Sequence, residues 1–268
     1  MKRSFLSLAM SAAVLFSTYA PAQAATLSVG TEGDAPPFSM ADASGKVTGY
    51  DADVANAICA ELKVQCKFVV QSFNTLIPSL SAGQFDVIIS GLGITETRRK
   101  QIDYSIPYAG VTKYFAVKKG SPLLRATSLD AISKALDGKL VGVVNGTTYA
   151  KYVQRHFGNA DIKSYDSVNQ MVSDLQSGRL YTAFSDSPTW ADVMKAPGGN
   201  SITQVPVAVR QKEDPEILGI GMGVGIRKGN AELRNNVDTA LCRLIKNGTM
   251  RKISEKWFQE DYTIPCTP

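Results

Sequence analysis

Segments with the two-residue period of strands alternate with segments of helical period along the chain from Thr26 onwards. Residues 26–31 form a short β-type run, and residues 51–62 carry apolar side chains at the spacing of one helix face. Chains in which strands and helices alternate build mostly parallel sheets that are covered by helices. The pattern therefore predicts an α/β protein.

Two series of such segments follow one another. The first continues with a strand at 66–70, a helix at 76–82 and a strand at 85–90, and the second has a strand at 140–144, a helix at 167–177 and a strand at 180–184. Residues 221–226 and 231–258 then resume strand and helix material. Periodicity fits two consecutive domains, and it fits equally well a first domain that the end of the chain completes.

The N-terminus has the layout of a secretory signal peptide. Lys2 and Arg3 precede an apolar run at residues 5–16, and Ala22 and Ala24 supply a small-residue cleavage site. A membrane anchor needs about 18 or more apolar residues, and this run is shorter. We expect residues 1–24 to be removed after Ala24, and the absence of a cysteine there predicts a mature chain without a lipid.

Charge and hydrophobicity exclude two broad classes of protein. The formal net charge of the whole chain is +5, and it becomes smaller when Lys2 and Arg3 leave with the signal peptide. This charge is too small to indicate nucleic-acid binding. Because 44% of the residues are hydrophobic, the chain is expected to fold rather than to remain disordered.

The four cysteines fall into two local pairs, Cys59 with Cys66 and Cys242 with Cys266. Exported chains enter an oxidising compartment, so two disulfides are the natural interpretation. The alternative is a zinc site, which combines closely spaced cysteines with histidines. The chain has a single histidine, His156, and lacks that cysteine spacing, so we expect disulfides and no metal.

Several stretches carry a family resemblance: Ser72 to Leu80, Phe85 to Ile88, Gly91 to Thr95, Gly49 to Asp51, Val141 to Val143, Gly178 to Leu180, and the pair Cys59 and Cys66. Together they resemble the polar amino-acid family of periplasmic binding proteins, solute-binding protein family 3. The binders of lysine, arginine, ornithine and histidine, and those of octopine and nopaline, are the most similar. The resemblance covers nearly all of the mature chain.

This resemblance implies a type II periplasmic binding protein fold, in which two α/β lobes with mixed sheets are joined by two hinge strands around a ligand cleft. Residues 25–114 and 210–268 would form the first lobe, and residues 115–209 the second. The chain would cross between the lobes near residues 115–118 and 204–207.

The family also implies where a ligand carboxylate binds. Arg98, shortly after the turn at residues 91–95, matches the family arginine whose guanidinium holds two carboxylate oxygens. Ser90, Gly91 and Gly93 would add donors from the first lobe and Thr148 from the second, although Gly93 offers only its backbone where many relatives have a hydroxyl. The alternatives are a solvated charge run for Arg98 and a plain helix cap for Thr148.

Asp186 matches the family carboxylate that accepts the ligand ammonium, in the other lobe from Arg98. Its alternative is the N-cap of a helix that contains Pro188. With Arg98 and Asp186 in different lobes, a zwitterionic ligand would connect the lobes. Closure without it would bury unpaired charges, so we expect the ligand to shift the hinge equilibrium towards the closed form.

Specificity is implied by the residues expected around the ligand side chain. Phe73 matches an aromatic residue that packs on that side chain, whereas Ala35 stands where relatives have a second aromatic residue. Glu32, with Asp34 close by, matches an acid that binds a distal cation. A ligand with a cationic distal group is therefore expected, and a short ω-amino acid or another polar amino acid is the alternative.

The function implied is the substrate-binding component of an ABC transporter, a periplasmic monomer that works with an inner-membrane permease and needs no cofactor. A dehydratase-like enzyme or a chemosensory binding protein on the same fold is the alternative. No motif surrounds Ser185 or Ser187 for a triad with His156, so we expect no enzyme. The alternate glycines from Gly219 to Gly225 indicate close backbone packing rather than a nucleotide loop.

Overall fold

The structure is a computed structural model that describes residues 25–266. The predicted signal peptide at residues 1–24 lies outside the described residues. Among the helices of the described part, none has the length and apolar character needed to span a bilayer.

Strands and helices alternate as the sequence pattern predicts. The strands are β1 (Thr26–Thr31), β2 (Asp34–Ala35), β3 (Ser39–Ala41), β4 (Val47–Thr48), β5 (Gln65–Val70), β6 (Val87–Ile88), β7 (Asp103–Tyr104), β8 (Lys113–Lys118), β9 (Leu140–Val144), β10 (Asp161–Tyr165), β11 (Thr182–Asp186), β12 (Ile202–Gln204) and β13 (Gly225–Ile226). The helices are α1 (Tyr50–Leu62), α2 (Leu76–Ser81), α3 (Glu96–Arg99), α4 (Leu129–Ala135), α5 (Tyr149–His156), α6 (Val168–Ser177), α7 (Ser187–Lys195), α8 (Pro215–Leu218), α9 (Ala231–Lys246) and α10 (Thr249–Phe258).

Two five-stranded mixed sheets organise these elements. The first has the order β5-β1-β6-β13-β7, in which β5, β1 and β6 are parallel and β13 is antiparallel to both of its neighbours. The second has the order β10-β9-β11-β8-β12, in which β8 runs antiparallel to β11 and β12. We call each sheet with the helices packed on it the first and the second lobe. The two-lobe α/β fold is therefore confirmed, with a small sheet of β2, β3 and β4 added to the first lobe.

The chain crosses between the sheets twice, between β7 and β8 and between β12 and β13. Residues 115–118, predicted as a crossing, instead lie inside β8 and pair with β11 and β12. Their apolar side chains belong to the core of the second lobe, so the crossing comes earlier in the chain. The division at residues 114 and 209 stays a prediction, and Ile217 and Leu218 of α8 pack on the second core.

Each lobe has its own apolar core. In the first lobe, Ile58 of α1 lies in one buried cluster with Leu241 of α9 and Phe258 of α10. In the second lobe, the rings of Phe115 and Phe184 lie with their centroids 4.6 Å apart. Burying a large apolar side chain of this kind contributes roughly 1.5–3 kcal/mol. The two cores make each lobe a firm support for the residues that face the cleft.

Both predicted disulfides are confirmed: Cys59 is bonded to Cys66, and Cys242 to Cys266. The first joins α1 to β5, and the second fastens the C-terminal tail to α9. By the loop-closure argument each stabilises the fold by roughly 3 kcal/mol.

The predicted helical stretch at residues 231–258 is two helices rather than one. Gly248 adopts a φ of 80° between α9 and α10, a backbone conformation that favours glycine and ends the first helix. The alternate glycines near β13 do pack closely, since a Cβ on Gly223 would lie 2.7 Å from Ile94 Cδ1.

Candidate functional site

Two small adjoining cavities lie between the lobes in the described part of the structure. Phe73 and Gly91 of the first lobe and Thr147, Tyr149 and Asp186 of the second lobe line both of them. The basic side chains of Arg98 and Lys113 line one cavity, and the acids Glu32 and Asp51 line the other. A wider cavity of about 760 Å³ opens on the far side of Arg98. The cleft is thus basic at one end and acidic at the other.

Arg98 is held at the end of α3, which the hydroxyl of Thr95 caps by accepting a hydrogen bond from the Arg98 amide at 3.2 Å. The residue is only 8% exposed, and burial lowers the pKa of its guanidinium. Nη1 donates to the Gly93 carbonyl and Nη2 to the Gly146 carbonyl, each at 3.0 Å. The guanidinium lies 5.5 Å from the centre of the Phe73 ring. Since none of the described residues forms an ion pair with it, Arg98 is a buried cation rather than part of a solvated charge run.

The loop after β6 brings the other predicted donors of the first lobe together. Ser90 Oγ accepts the Glu32 amide at 2.9 Å, and the Gly91 amide donates to Asp51 Oδ1 at 3.1 Å. Gly91 has a φ of 55°, which explains glycine at this position. Gly93 presents its carbonyl to Arg98, and the predicted role of its backbone amide as a ligand donor stays a prediction.

Glu32 and Asp51 form the acidic end. Glu32 is 6% exposed and Asp51 is 1% exposed. Burial, and to a lesser extent the Asp34 carboxylate, raises the pKa of Glu32 to about 7. Burial also raises the pKa of Asp51 to about 8, and Glu32 contributes in the same direction. Neither acid forms an ion pair with any of residues 25–266, and Asp51 Oδ2 has no hydrogen-bond partner there.

Ala35 lines the acidic cavity together with Glu32. Asp34 is not among the residues that line this cavity. Its carboxylate accepts a hydrogen bond from Asn169 Nδ2 of α6, so the side chain connects the two lobes at the rim of the cleft.

Thr148 stands at the start of α5 and lines both the basic cavity and the wider one. Its side chain makes no capping hydrogen bond, so the alternative of a plain helix cap does not describe it. The neighbouring Thr147 instead bonds to the first turn of α5, since its hydroxyl accepts a hydrogen bond from the Tyr149 amide at 3.4 Å. A helix N-terminus directed at the cleft favours an anionic ligand group.

Asp186 ends β11 and is 8% exposed. It stands at the N-cap position of α7 but its side chain makes no capping hydrogen bond. The Tyr149 hydroxyl donates a hydrogen bond to Asp186 Oδ2 at 2.5 Å, and the Lys113 ammonium lies 3.4 Å from Asp186 Oδ1. Burial and the carboxylate raise the pKa of Tyr149 well above its usual value, so the hydroxyl keeps its proton.

The sequence model of one protein family, the bacterial extracellular solute-binding proteins, family 3, matches residues 27–260 of this chain. This match spans almost the whole described chain. The chain belongs to this family.

Members of family 3 with curated names include the lysine/arginine/ornithine-binding periplasmic protein of Escherichia coli, which is 36% identical over 96% of this chain and 97% of its own length. The L-arginine-binding protein of Pseudomonas aeruginosa is 34% identical over 87% of this chain and 88% of its own length. Among solved structures, a Salmonella typhimurium periplasmic binding protein with high arginine specificity has a TM-score of 0.78 and 33% identity, over 88% of this chain and 100% of its own.

Two side chains of the candidate site were not predicted from the sequence, Asp51 and Lys113. Asp51 precedes Val54 and Ile58 by three and seven residues, so it shares the buried face of α1. Lys113 lies two residues before Phe115 in β8, and residues two apart in a strand point to the same face, so Lys113 points to the buried side. In both cases the sequence feature that could have indicated a functional residue was a charged side chain at a position where the helix or strand pattern expects an apolar one.

The site has no evident place for a metal. Among residues 25–266 there is no group of three acidic, histidine or cysteine side chains that could hold an ion. The arrangement can instead bind a small molecule with an anionic end near Arg98 and a cationic end near Glu32 and Asp51.

Proposed function

We propose that this chain is the periplasmic solute-binding component of an ABC transporter for cationic amino acids. The observation that carries the proposal is that ionisable groups of opposite kind, without ion-pair partners, lie at opposite ends of the cleft. Arg98 lies at one end without an acidic partner among the described residues, and Glu32 and Asp51 lie at the other without a basic one. Relatives named as binding arginine, lysine/arginine/ornithine and histidine support the same ligand class.

Arg98 is the carboxylate end of the proposed binding mode. A guanidinium group can hold two carboxylate oxygens, and because it is planar and rigid it also fixes the orientation of the bound carboxylate. The N-terminus of α5 at Thr148 faces the same cavity and adds partial positive charge from the second lobe. A carboxylate bound there touches both lobes at once.

Glu32 and Asp51 are the cation end. A guanidinium or ammonium between them compensates two carboxylates that are otherwise buried together, and burying such charges is costly unless they are paired. Phe73 lies along the path between the two ends and offers an apolar face to the aliphatic part of the ligand. Lysine, ornithine and arginine have this sequence of anion, apolar stem and cation.

The same geometry supports closure upon ligand binding. The ligand adds contacts that exist only when the lobes are together, and a ligand shifts an equilibrium by its differential affinity for the two states. An inner-membrane permease then receives the closed form. Cleavage of residues 1–24 and a monomeric state in the periplasm belong to this proposal.

Catalysis is not part of the proposal. The curated relatives are named as binding proteins. His156, the residue that a triad would need, lies within hydrogen-bonding distance of Asp214, at 2.8 Å, and is absent from the two cavities that hold Arg98 and Glu32.

A thermal-shift screen of the mature protein tests the proposal. Arginine, lysine, ornithine and histidine are compared with glutamine, glutamate and citrulline, the neutral analogue of arginine. A ligand at about 1,000 times its Kd stabilises the protein by ~4 kcal/mol, which is a clear rise in Tm. We expect the cationic compounds alone to raise Tm. If only neutral or acidic compounds did so, the charge argument would be wrong.

A further inference from the structure

The buried Lys113 ammonium belongs to the sheet that carries Asp186. Lys113 and Asp186 are register partners on the antiparallel strands β8 and β11, so their side chains project from neighbouring positions of one sheet. Lys113 is 6% exposed, donates to the Val111 carbonyl at 3.1 Å and forms the 3.4 Å ion pair with Asp186 Oδ1. The cation is therefore a fixed part of the cleft.

The Asp186 carboxylate has both a cation and a hydrogen-bond donor within the second lobe. The Lys113 ammonium forms an ion pair with Oδ1 at 3.4 Å without a hydrogen bond, and the Tyr149 hydroxyl donates to Oδ2 at 2.5 Å. Asp186 thus differs from Glu32 and Asp51, which have no ion-pair partner among the residues that the structure describes. The acids that still lack a cation, and that a ligand cation could pair with, are therefore those at the acidic end of the cleft.

This difference decides what an α-ammonium group contributes. Arg98 and Asp186 line the same cavity, so a ligand carboxylate on Arg98 brings the adjoining α-ammonium towards Asp186. There the ligand cation meets an acid that Lys113 already neutralises, and it is also repelled by the Lys113 ammonium. Attraction and repulsion of comparable size largely cancel.

We infer that Lys113 takes the place of a ligand α-ammonium beside Asp186, so that the site also binds ω-guanidino and ω-amino carboxylic acids without an α-ammonium group. This inference rests on the proposed function and adds to it. The carboxylate on Arg98 and the distal cation near Glu32 and Asp51 are required of the ligand, and the α-ammonium is dispensable.

Calorimetric titration of arginine and desamino-arginine, in which hydrogen replaces the α-ammonium, tests the inference. The wild-type protein is expected to bind the two compounds with Kd values within about tenfold of each other. In Lys113→Met, Asp186 loses its internal cation, so the arginine preference is expected to rise by about tenfold or more. Lys118→Met is the matched control, because Lys118 lies exposed at the end of the same strand; its preference should equal the wild-type value.

Three outcomes are decisive. A wild-type preference for arginine above about 100-fold overturns the inference without any variant, which matters if Lys113→Met does not fold. An arginine preference that stays the same in folded Lys113→Met also overturns it. If the wild-type protein binds neither compound, the proposed function itself is wrong, and the inference falls with it.

Discussion

Arg98 of the first lobe donates a hydrogen bond from Nη2 to the carbonyl oxygen of Gly146 in the second lobe, at 3.0 Å. The guanidinium that is proposed to hold the ligand carboxylate is therefore also a contact between the lobes. Gly146 has a φ of 75°, and a Cβ placed on it would lie 2.7 Å from the Asn74 backbone of the first lobe. Closure thus depends on the absence of a side chain at residue 146.

Gly146→Ala is expected to hold the lobes apart. The added methyl group meets the Asn74 backbone only when the lobes are together, so it destabilises the closed form selectively. Because the apparent affinity falls with the fraction of closed protein, we expect the Kd for arginine to rise by about tenfold or more. Small-angle scattering with saturating arginine should give a larger radius of gyration than for the wild-type protein.

Gly138→Ala is the matched control for this variant. Gly138 also has a positive φ, of 61°, but no atom lies within 4 Å of the position of an added Cβ. Both substitutions place alanine in a left-handed conformation, which costs roughly 1–2 kcal/mol. Equal losses of arginine affinity in the two variants would mean that backbone strain, and not the contact between lobes, is responsible.

Arg98→Lys is expected to weaken arginine binding although the positive charge is kept. An ammonium group cannot hold two carboxylate oxygens and bond to Gly93 and Gly146 in the same fixed plane. Loss of a buried charged hydrogen-bond pair costs about 2–5 kcal/mol, so the Kd should rise by about 30-fold or more in calorimetry. Arg99→Lys serves as the control, because Arg99 is more exposed and forms an ion pair with the exposed Glu96. Equal Kd values for Arg98→Lys and wild type would contradict the assigned role.

Much of the fold could be predicted because its signals are local. Helix α6 follows from its period, from Ser167, whose hydroxyl caps the Gln170 amide, and from Gly178 in the left-handed conformation after its last turn. The pairing of Lys113 with Asp186 could not be predicted in this way, since it depends on the register of two strands that are far apart in sequence. The sequence therefore indicated which residues face the cleft better than which of them already have partners.

Glu32→Gln is expected to change which ligands bind more than how strongly the best one binds. Citrulline has the shape of arginine with a neutral end group, so the ratio of their Kd values measures the contribution of the distal charge. We expect this ratio to be about 100 or more in the wild-type protein and to fall by about tenfold or more in Glu32→Gln. Glu61→Gln, in the first lobe away from the cavities, is the control. An unchanged ratio in Glu32→Gln would remove Glu32 from the cation site.

Arginine affinity is expected to rise with pH because the cation site must be ionised to bind it. The pKa of Glu32 is raised to about 7 and that of Asp51 to about 8, both chiefly by burial, from ordinary values of 4.5 and 3.8. In the ligand-free protein these acids hold protons that the unfolded chain has released. The free energy of unfolding should therefore fall as the pH rises from about 4 to about 8, and a bound cation should restore it.

Calorimetry between about pH 6 and pH 8.5 measures this linkage. The arginine Kd should fall by up to about tenfold per pH unit while one acid must lose its proton, and binding should release protons into the buffer. Citrulline affinity should not increase with pH, since it offers no charge to the two acids. In Glu32→Gln the pH dependence should be weaker and should centre on the pKa of Asp51. A wild-type arginine Kd that stayed constant across this range would show that Glu32 and Asp51 do not bind the cation.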